Sequence, residues 1–178
     1  MEGQDGYRVR ASTAADAPRA AEAFALLQEA LKGKVIGLAA RSLAELSGKI
    51  TDGLAVLALS PDGVLAGFIL VCPWDQDRWV STSALVVAPA HRQHGLAGRL
   101  KEAAAGLARA RFPAARRFGL TTSGAVLKVN ARMGWVPVPY AEVCRDPGFW
   151  KGCEACPHHE TLLRMKGEIC FCTAMRDG

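Results

Sequence analysis

The stretch of residues 84–100 constrains the fold more than any other part of the chain. An apolar run ends at Pro89, which cannot donate a hydrogen bond to a neighbouring strand. Gly95 and Gly98 follow, and apolar residues then recur at helical spacing until Pro113. This order predicts a buried strand, a glycine-containing turn and a helix that begins directly after the turn.

A helix in that position leaves its first backbone N–H groups without intrahelical partners, and its macrodipole adds positive charge there. Phosphates bind such helix starts readily. Gly95 and Gly98 let a ligand approach the backbone closely, and Arg92 and Arg99 can add charge. The three glycines of the dinucleotide motif and the Gly-Lys-Ser/Thr of the P-loop are both absent. The turn therefore predicts a phosphate site of another class.

The patterns on either side predict an α+β fold. We predict strands at 7–12, 54–59, 64–71, 79–87, 118–122, 135–138 and 169–175. Helices are expected after the caps Asp16, Ser42 and Ser123, with a stop at Gly134. The segment 71–74, which contains Pro73, is expected to break its strand. The result is a mixed, mostly antiparallel sheet of six to seven strands with about four helices.

Composition fits one domain over residues 1–178, because half of the residues are apolar. The first fifteen residues are polar and no run is long and apolar enough to span a bilayer, so we expect a soluble, cytoplasmic protein. Of the 22 Lys and Arg residues, seven lie between Arg92 and Arg117, against one acid, Glu102. This local charge suits a compact polyanion, although a solvated helix face gives the same pattern.

One motif carries a family resemblance. Val87-Ala88-Pro89 precedes the pattern Arg/Gln-x-x-Gly-x-Gly/Ala at residues 92–97, and this resembles the acetyl-CoA motif of the GNAT superfamily of N-acetyltransferases. The resemblance implies that amides of the turn hold the coenzyme's pyrophosphate and that the end of the fourth strand binds its pantetheine arm. The implied coenzyme-binding residues are Leu85, Val86, Val87, Arg92, Gln93, His94, Gly95, Leu96, Ala97, Gly98, Arg99, Ser123 and Asn130.

A second block, residues 121–135, is similar to the family's later helix, which ends in an aliphatic residue, Gly and an aromatic. Two positions depart from the family pattern. Ser123 stands where Asn is frequent, and Asn130 stands where many members have a Tyr that protonates the departing thiolate. The acid role does not transfer to Asn130, because an amide does not titrate.

The residue that acts as general base in many family members is also missing from the fourth strand. Many members of the family have a Glu on the fourth strand, but residues 79–83 contain no carboxylate. Ser81 and Ser83 are the catalytic candidates, since they or Thr82 could hold a water that accepts the proton. Asp75, Asp77 and His94 could lie near these hydroxyl groups. No residue is assigned as the general base.

Residues 41–46 and 63–67 resemble the acetyltransferase domain of N-acetylglutamate synthases. Arg41 directly precedes a predicted helix, where it could contact an amino-acid carboxylate in bidentate fashion. An exposed Arg beside a helix cap is the alternative. The acceptor hypothesis is therefore a small-molecule amine, with glutamate as one candidate.

The segment 144–172 is a Cys-rich insertion. Two close pairs of cysteines are separated by thirteen residues, and a strand over the second pair would point both thiols to one face, so we predict a structural zinc site. The predicted ligands are Cys153, Cys156, Cys170 and Cys172. Cys72 and Cys144 are expected to be buried thiols, and His158 and His159 are substitute ligands or loop residues.

Two other classes of function stay open. The basic segment and the cysteines also suit a zinc-stabilised interaction or nucleic-acid-binding module, but the four Trp residues are scattered and not interleaved with the basic run. A fold that binds the coenzyme without catalysis would also lack the Tyr and the Glu. We expect a small-molecule partner, no nucleic acid and no membrane, with a monomer and a homodimer both open.

Overall fold

The computed structural model describes residues 5–32, 38–154, 156 and 158–177, and a seven-stranded sheet dominates them. The strands are β1 (Arg8–Ala11), β2 (Ala55–Leu59), β3 (Leu65–Trp74), β4 (Trp79–Val87), β5 (Arg116–Thr121), β6 (Trp135–Pro137) and β7 (Thr173–Asp177). Their order in the sheet is β1-β2-β3-β4-β5-β7-β6. The β4–β5 pair is parallel and the other pairs are antiparallel.

In the described ranges, four main helices flank the sheet, and two short ones lie in the Cys-rich segment. They are α1 (Ala20–Lys32), α2 (Leu43–Thr51), α3 (Leu96–Arg111), α4 (Gly124–Arg132), α5 (Pro147–Lys151) and α6 (His159–Arg164). The α+β architecture predicted from the sequence is thus confirmed.

Two helical layers bury opposite faces of β2 and β3. Leu27 of α1 and Leu46 of α2 pack with Phe68 on one face. Leu100 of α3 packs with Val56 on the other face. Because successive side chains of a strand point to opposite faces, both faces of these strands must be apolar, and every residue of β2 is buried. The sheet therefore separates α1 and α2 from α3.

Two predicted helix caps are confirmed, and one is wrong. The side chains of Ser42 and Ser123 accept hydrogen bonds from the third residue of their helices, at 3.1 and 3.4 Å. Asp16, however, is the third residue of a short 3₁₀ helix (Ala14–Arg19), and Thr13 holds the cap position. The Asp16 carboxylate accepts the Thr13 backbone N–H at 2.9 Å, which completes a capping box from the other side.

The predicted break at Pro73 is wrong, because β3 continues through it to Trp74. The Val71 N–H donates to Leu54 on the β2 side, and the N–H groups of residues two apart point the same way. A donor at Pro73 would therefore point to the β2 side, but at a position beyond Ala55, where β2 begins. Its absence costs no ladder hydrogen bond, and Pro73 pairs in register with Val80 of β4.

The last strand lies further along the chain than predicted. It pairs with β5 from Thr173 onwards, so Cys170 and Cys172 precede it and do not share a strand face. The segment between β6 and β7 forms a third apolar cluster, to which Tyr140, Val143 and Phe118 of β5 belong. The chain between β6 and β7, which contains the Cys-rich segment 144–172 and is called the Cys-rich tail below, therefore covers the end of the sheet where β4 and β5 meet.

Candidate active site

The start of α3 has the features of an anion site. Gly95 occupies the cap position with φ 66°, and no side chain caps the helix. Gln93 also has a positive φ, 69°. Within the described part of the chain, the backbone N–H groups of residues 93–97 have no hydrogen-bond partner. Successive amides in alternating left-handed conformations form an anion-binding concavity, and the macrodipole of a 16-residue helix reinforces it.

The two glycines of this turn leave room for a ligand. A Cβ atom built at Gly95 or Gly98 would meet no atom within 4 Å. Leu96, by contrast, is buried and anchors the helix start against the sheet. The turn is therefore fixed from below and open above, as a bound diphosphate requires.

The charges beside the turn play different parts. Arg99 donates to the Asp5 carboxylate at 3.1 Å and to the Tyr7 carbonyl at 2.6 Å, so it ties the start of the chain to α3. Arg92 is exposed, and its Nε donates to the Val87 carbonyl at 3.4 Å. His94 packs its ring 4.9 Å from that of Tyr7. Arg92 is thus the arginine that can turn towards a ligand at this site.

Strands β4 and β5 separate after three paired residues. Trp79, Val80 and Ser81 pair with β5, and the pairing ends there. Ala84 has φ 52°, and the register between β3 and β4 shifts next to it. This bulge turns the rest of β4, which carries the predicted residues 85–87, away from β5. The opening exposes strand backbone to a ligand.

A cavity of about 280 Å³ lies at this opening. Its walls come from β4, β5, the start of α4, Arg41 and the Cys-rich tail. The predicted site residues among its lining are Arg41, Ser81, Ser83, Leu85, Ser123, Cys153, Cys156, Cys170 and Cys172. The sequence-predicted acceptor, catalytic and tail residues therefore meet at one place.

A buried lysine, which the sequence analysis missed, lies on the α3 side of the opening. Lys101 is 3% exposed and lines the cavity. Its Nζ donates to Thr82 Oγ1 at 2.7 Å and lies 4.6 Å from the centre of the Trp135 ring. Burial lowers the pKa of Lys101 to about 8. The signal in the sequence was its helical spacing from the apolar Ala105 and Ala108, which places it on the inner face of α3.

Asn130 lies beneath the same end of the sheet. It is 1% exposed, and its Nδ2 is 3.5 Å from Met175 Sδ, whereas its Oδ1 has no partner among the described residues. Met175 is the register partner of Gly119 in β5. An unpaired buried oxygen is costly, so Asn130 keeps an acceptor unused next to the opening.

Arg41 lies against the opposite face of β4, which carries Ser81 and Ser83. Arg41 Nη2 donates to Ser83 Oγ at 3.3 Å, and its Nη1 donates to Glu45 at 3.0 Å. Ser81 is buried, and its Oγ accepts from Trp74 Nε1 at 2.8 Å. Ser81 and Ser83 share this face while Thr82 points to α3, as strand alternation requires. Lys101 and Arg41 therefore line the cavity from opposite faces of β4.

The acidic candidates lie elsewhere. Asp75 and Asp77 line a separate cavity beside Arg116, and His94 belongs to the turn before α3. Among the described residues, the lining of the main cavity contains no Asp or Glu. His158 and His159, which the sequence analysis treated as ligands or loop residues, do line it.

The four tail cysteines lie close together at the cavity. Burial, together with the neighbouring Cys170, Cys156 and Cys153, raises the pKa of Cys172 to about 12. In the ranges that the structure describes, no group of three or more His, Cys, Asp or Glu side chains is arranged to hold a metal ion. The zinc site stays a prediction. Cys72 and Cys144 are buried free thiols, as expected.

Comparison with known proteins agrees with this architecture. The sequence profile of the acetyltransferase (GNAT) family matches residues 14–132, more than half of the chain. No curated protein sequence matches the chain significantly. No helix in the described ranges has both the length and the apolar character that a membrane crossing requires.

Several solved structures share the fold at low sequence identity. N-acetylglutamate synthase from Neisseria gonorrhoeae, solved with coenzyme A and N-acetyl-glutamate, has a TM-score of 0.66 at 19% identity, covering 96% of this chain and 34% of its own. A Mycobacterium tuberculosis protein solved with CoA has 0.65 at 20%, covering 96% and 98%. A phosphinothricin acetyltransferase from Sinorhizobium meliloti, solved with acetyl-CoA, has 0.62 at 13%, covering 96% and 87%.

Proposed function

The chain belongs to the acetyltransferase (GNAT) family, whose members depend on acetyl-CoA, and we propose that it acetylates the primary amine of a small molecule that carries a carboxylate. An amino acid such as glutamate fits this description. The observation that carries the proposal is the cavity itself, which joins the opened edge of β4 to the Arg41 side chain.

The donor half of the site follows from the backbone. Unpaired amides at residues 93–97 would hold the diphosphate, and the free edge of β4 at residues 85–87 would hold the pantetheine arm. A strand amide near the bulge at Ala84 would stabilise the oxyanion that forms during acyl transfer. Ser123, at the cap of α4, is the proposed contact on the far side. Together these residues fit acetyl-CoA as the donor.

The acceptor half depends on Arg41. Its side chain is 14% exposed, it lines the cavity, and its Nε is buried without a partner among the described residues. A buried donor without a partner costs about 1–3 kcal/mol, and a carboxylate in the cavity would relieve that cost. Carboxylates and guanidinium groups match each other in bidentate geometry. Arg41 therefore favours an acceptor with a carboxylate near its amine.

Release of CoA with a panel of amines tests the proposal. The panel contains acidic, neutral and basic amino acids together with amines that have no carboxylate. We expect the carboxylate-bearing amines to react fastest, and Arg41→Gln to raise their KM by about tenfold or more, which corresponds to one lost charged hydrogen bond. Arg8→Gln is the matched control, because Arg8 is exposed on β1 away from the cavity. Equal rates for all amines, or equal effects of the two substitutions, would refute this acceptor class.

The alternatives predict different results in the same assays. A catalytically inactive coenzyme-binding fold would bind acetyl-CoA in calorimetry but release no CoA with any amine. A nucleic-acid or interaction module would not bind acetyl-CoA at all. The unpaired amides at the start of α3 favour the enzyme over the module.

We also propose that the tail binds one zinc ion through Cys153, Cys156, Cys170 and Cys172, which lie near one another at the cavity wall. Ligand side chains would need to move together, since the described side chains do not form a metal site. Metal analysis of protein purified without added zinc tests this. About one zinc per chain, lost in Cys153→Ser but kept in Cys72→Ser, supports the site, and four freely titrating thiols without zinc exclude it.

A further inference from the structure

Lys101 is a buried cation with an unusual environment. Its Nζ is held by Thr82 Oγ1 at 2.7 Å and lies over the Trp135 ring. No ion pair to Lys101 occurs in the described ranges. Burying an ammonium group without a carboxylate is costly, and lysine is almost never buried unless it is paired. The chain therefore tolerates a destabilising residue at this position.

The position of the Nζ points to a role. Thr82 is the first residue of β4 after its pairing with β5 ends, so Nζ lies where the two strands begin to separate. The Cβ position of Gly119 in β5 is 3.9 Å from Thr82 Oγ1 and 3.6 Å from the Trp135 ring. The site is thus closed by β4, β5 and β6, and it opens into the cavity that Lys101 lines.

We assign the acceptor and the donor to opposite faces of β4. Arg41 and Ser83 lie on the face that we assign to the acceptor, and Lys101 reaches the opening from the α3 face. The coenzyme's diphosphate is assigned to the start of α3, so the sulfur of the donor approaches the opening from the helix that carries Lys101. Asn130, also on this side, cannot act as the acid, because its amide N–H groups do not titrate.

We propose that Lys101 is the general acid that protonates the departing CoA sulfur. The inference rests on the proposed acetyl transfer and adds a residue to it. The acceptor nitrogen forms a bond to the acetyl carbon, the carbon–sulfur bond breaks, and its electron pair stays on sulfur. Lys101 gives one proton to that sulfur and becomes a neutral amine. The proton that the acceptor nitrogen loses passes to water, and water returns a proton to Lys101.

The acid strength of Lys101 suits this step. The pKa of its ammonium group lies near 8 because of burial, and that of an alkyl thiol is about 8.5, so the proton moves between groups of similar affinity. Thr82 Oγ1 and the Trp135 ring face Nζ from β4 and β6, and Gly119 of β5 lies beside both of them. Thr82, Gly119 and Trp135 do not titrate in this range. Other ionisable residues also line the cavity, namely Arg41, Tyr140, His158, His159 and the four tail cysteines, so the loss of the pH limb in Lys101→Met is what assigns it to Lys101.

Lys101→Met tests the role, because Met keeps the length and the apolar stem. We expect kcat to fall about 100-fold or more, while calorimetry gives an affinity for acetyl-CoA within about threefold of the wild type. In the wild type, kcat should fall as the pH rises through about 8, because the acid form is lost, and the variant should lack this limb. Lys128→Met, on the exposed face of α4, is the control and should leave kcat unchanged.

Two further measurements separate proton donation from simple positioning. Lys101→Arg keeps the charge but does not titrate, so it should remain as slow as Lys101→Met. Titration of bound CoA by thiolate absorbance should give a thiol pKa lower by about one unit or more in the wild type than in Lys101→Met, since an ammonium beside the sulfur stabilises the thiolate. This readout does not depend on turnover.

Several results would overturn the inference. Wild-type rates in Lys101→Met or Lys101→Arg would do so, as would equal thiol titrations in the wild type and Lys101→Met. Acetylation of Lys101 during turnover, seen by mass spectrometry, would make it an acceptor and not an acid. If the wild type binds acetyl-CoA but no amine releases CoA, the proposed transfer fails and the acid role of Lys101 fails with it, whereas an active wild type with an equally active Lys101→Met variant overturns the acid role alone.

Discussion

Asp16 holds the beginning of the first helical segment through several hydrogen bonds. Its carboxylate accepts two hydrogen bonds from Arg10 at 2.7 Å and one from the Thr13 backbone N–H at 2.9 Å. The Arg10 guanidinium, helped by Thr13, holds the pKa of this carboxyl far below its usual range. The ionised form is therefore part of the folded state.

Asp16→Asn should lower the free energy of unfolding by about 1–3 kcal/mol at pH 7, because it removes a charged partner of Arg10. The folded pKa is depressed, so the stabilisation is complete above the unfolded value of about 4 and is lost as the pH falls below it. Urea denaturation at several pH values should show the difference between wild type and variant shrinking below pH 4.

Asp77→Asn is the control, since Asp77 is exposed in the turn between β3 and β4. A difference at Asp16 that does not change with pH would show that the ion pair is not its source.

At the scale of single residues, the sequence predicts helix caps better than it predicts which charged side chains are buried. Ser42 and Ser123 were predicted because a cap is a local hydrogen bond, which a few residues determine. Lys101 was counted among the basic residues of a helix face, because charge alone says nothing about which face of α3 meets the sheet. Its burial depends on contacts with β4 and β6, and the sequence near Lys101 does not show that these strands lie beside it.

The position of the free part of β4, residues 85–87, depends on its close contact with β3 at Gly67. A Cβ atom at Gly67 would lie 2.6 Å from the Val86 carbonyl oxygen and 3.2 Å from Val87 Cα. Both neighbours are backbone atoms of the part of β4 that we assign to the pantetheine arm. Only glycine allows the strands to approach this closely.

Gly67→Ala should therefore push β4 away from β3, lower the free energy of unfolding by about 1–3 kcal/mol, and weaken acetyl-CoA binding. Denaturation and calorimetry measure the two effects. Gly106→Ala is the matched control: Gly106 is exposed within α3, and its Cβ position meets nothing within 4 Å. Alanine there should stabilise the protein by about 0.5–1 kcal/mol. An unperturbed Gly67→Ala would show that β4 can shift without loss.

Elements with regular patterns were predicted well, and those fixed by their partners were not. The strand Trp79–Val87 has the predicted bounds because its apolar run and Pro89 set both ends. The strand Thr173–Asp177 begins four residues later than predicted, because pairing with β5 and not local composition sets its start. The continuation of β3 through Pro73 likewise depends on where β2 begins.

At the scale of the whole molecule, the sheet brings together segments that are distant in the sequence. Arg41, β4, α4 and the Cys-rich tail meet at one cavity, although the sequence analysis treated them as separate hypotheses. The position of β7 between β5 and β6 brings the segment that precedes β7 to the end of β5, and no local pattern in the sequence indicates this order. The family resemblance supplied the coenzyme motif, whereas the composition of the cavity wall required the structure.

Binding of acetyl-CoA should stabilise the folded protein as a whole. A ligand at one hundred times its dissociation constant adds about 2.7 kcal/mol to the free energy of unfolding. We expect the melting temperature to rise with acetyl-CoA, and the effect to weaken as salt is added, because seven basic residues lie between Arg92 and Arg117. A melting temperature that acetyl-CoA does not change, at any salt concentration, would contradict the donor site.

The central claim is that unpaired backbone amides at the start of α3 bind the coenzyme's diphosphate. Titration of ¹⁵N-labelled protein with CoA, followed by amide chemical shifts, tests it most directly. The account predicts that the amides of residues 93–97 show the largest shifts and gain protection from exchange. Binding of CoA that leaves these five amides unchanged would contradict it.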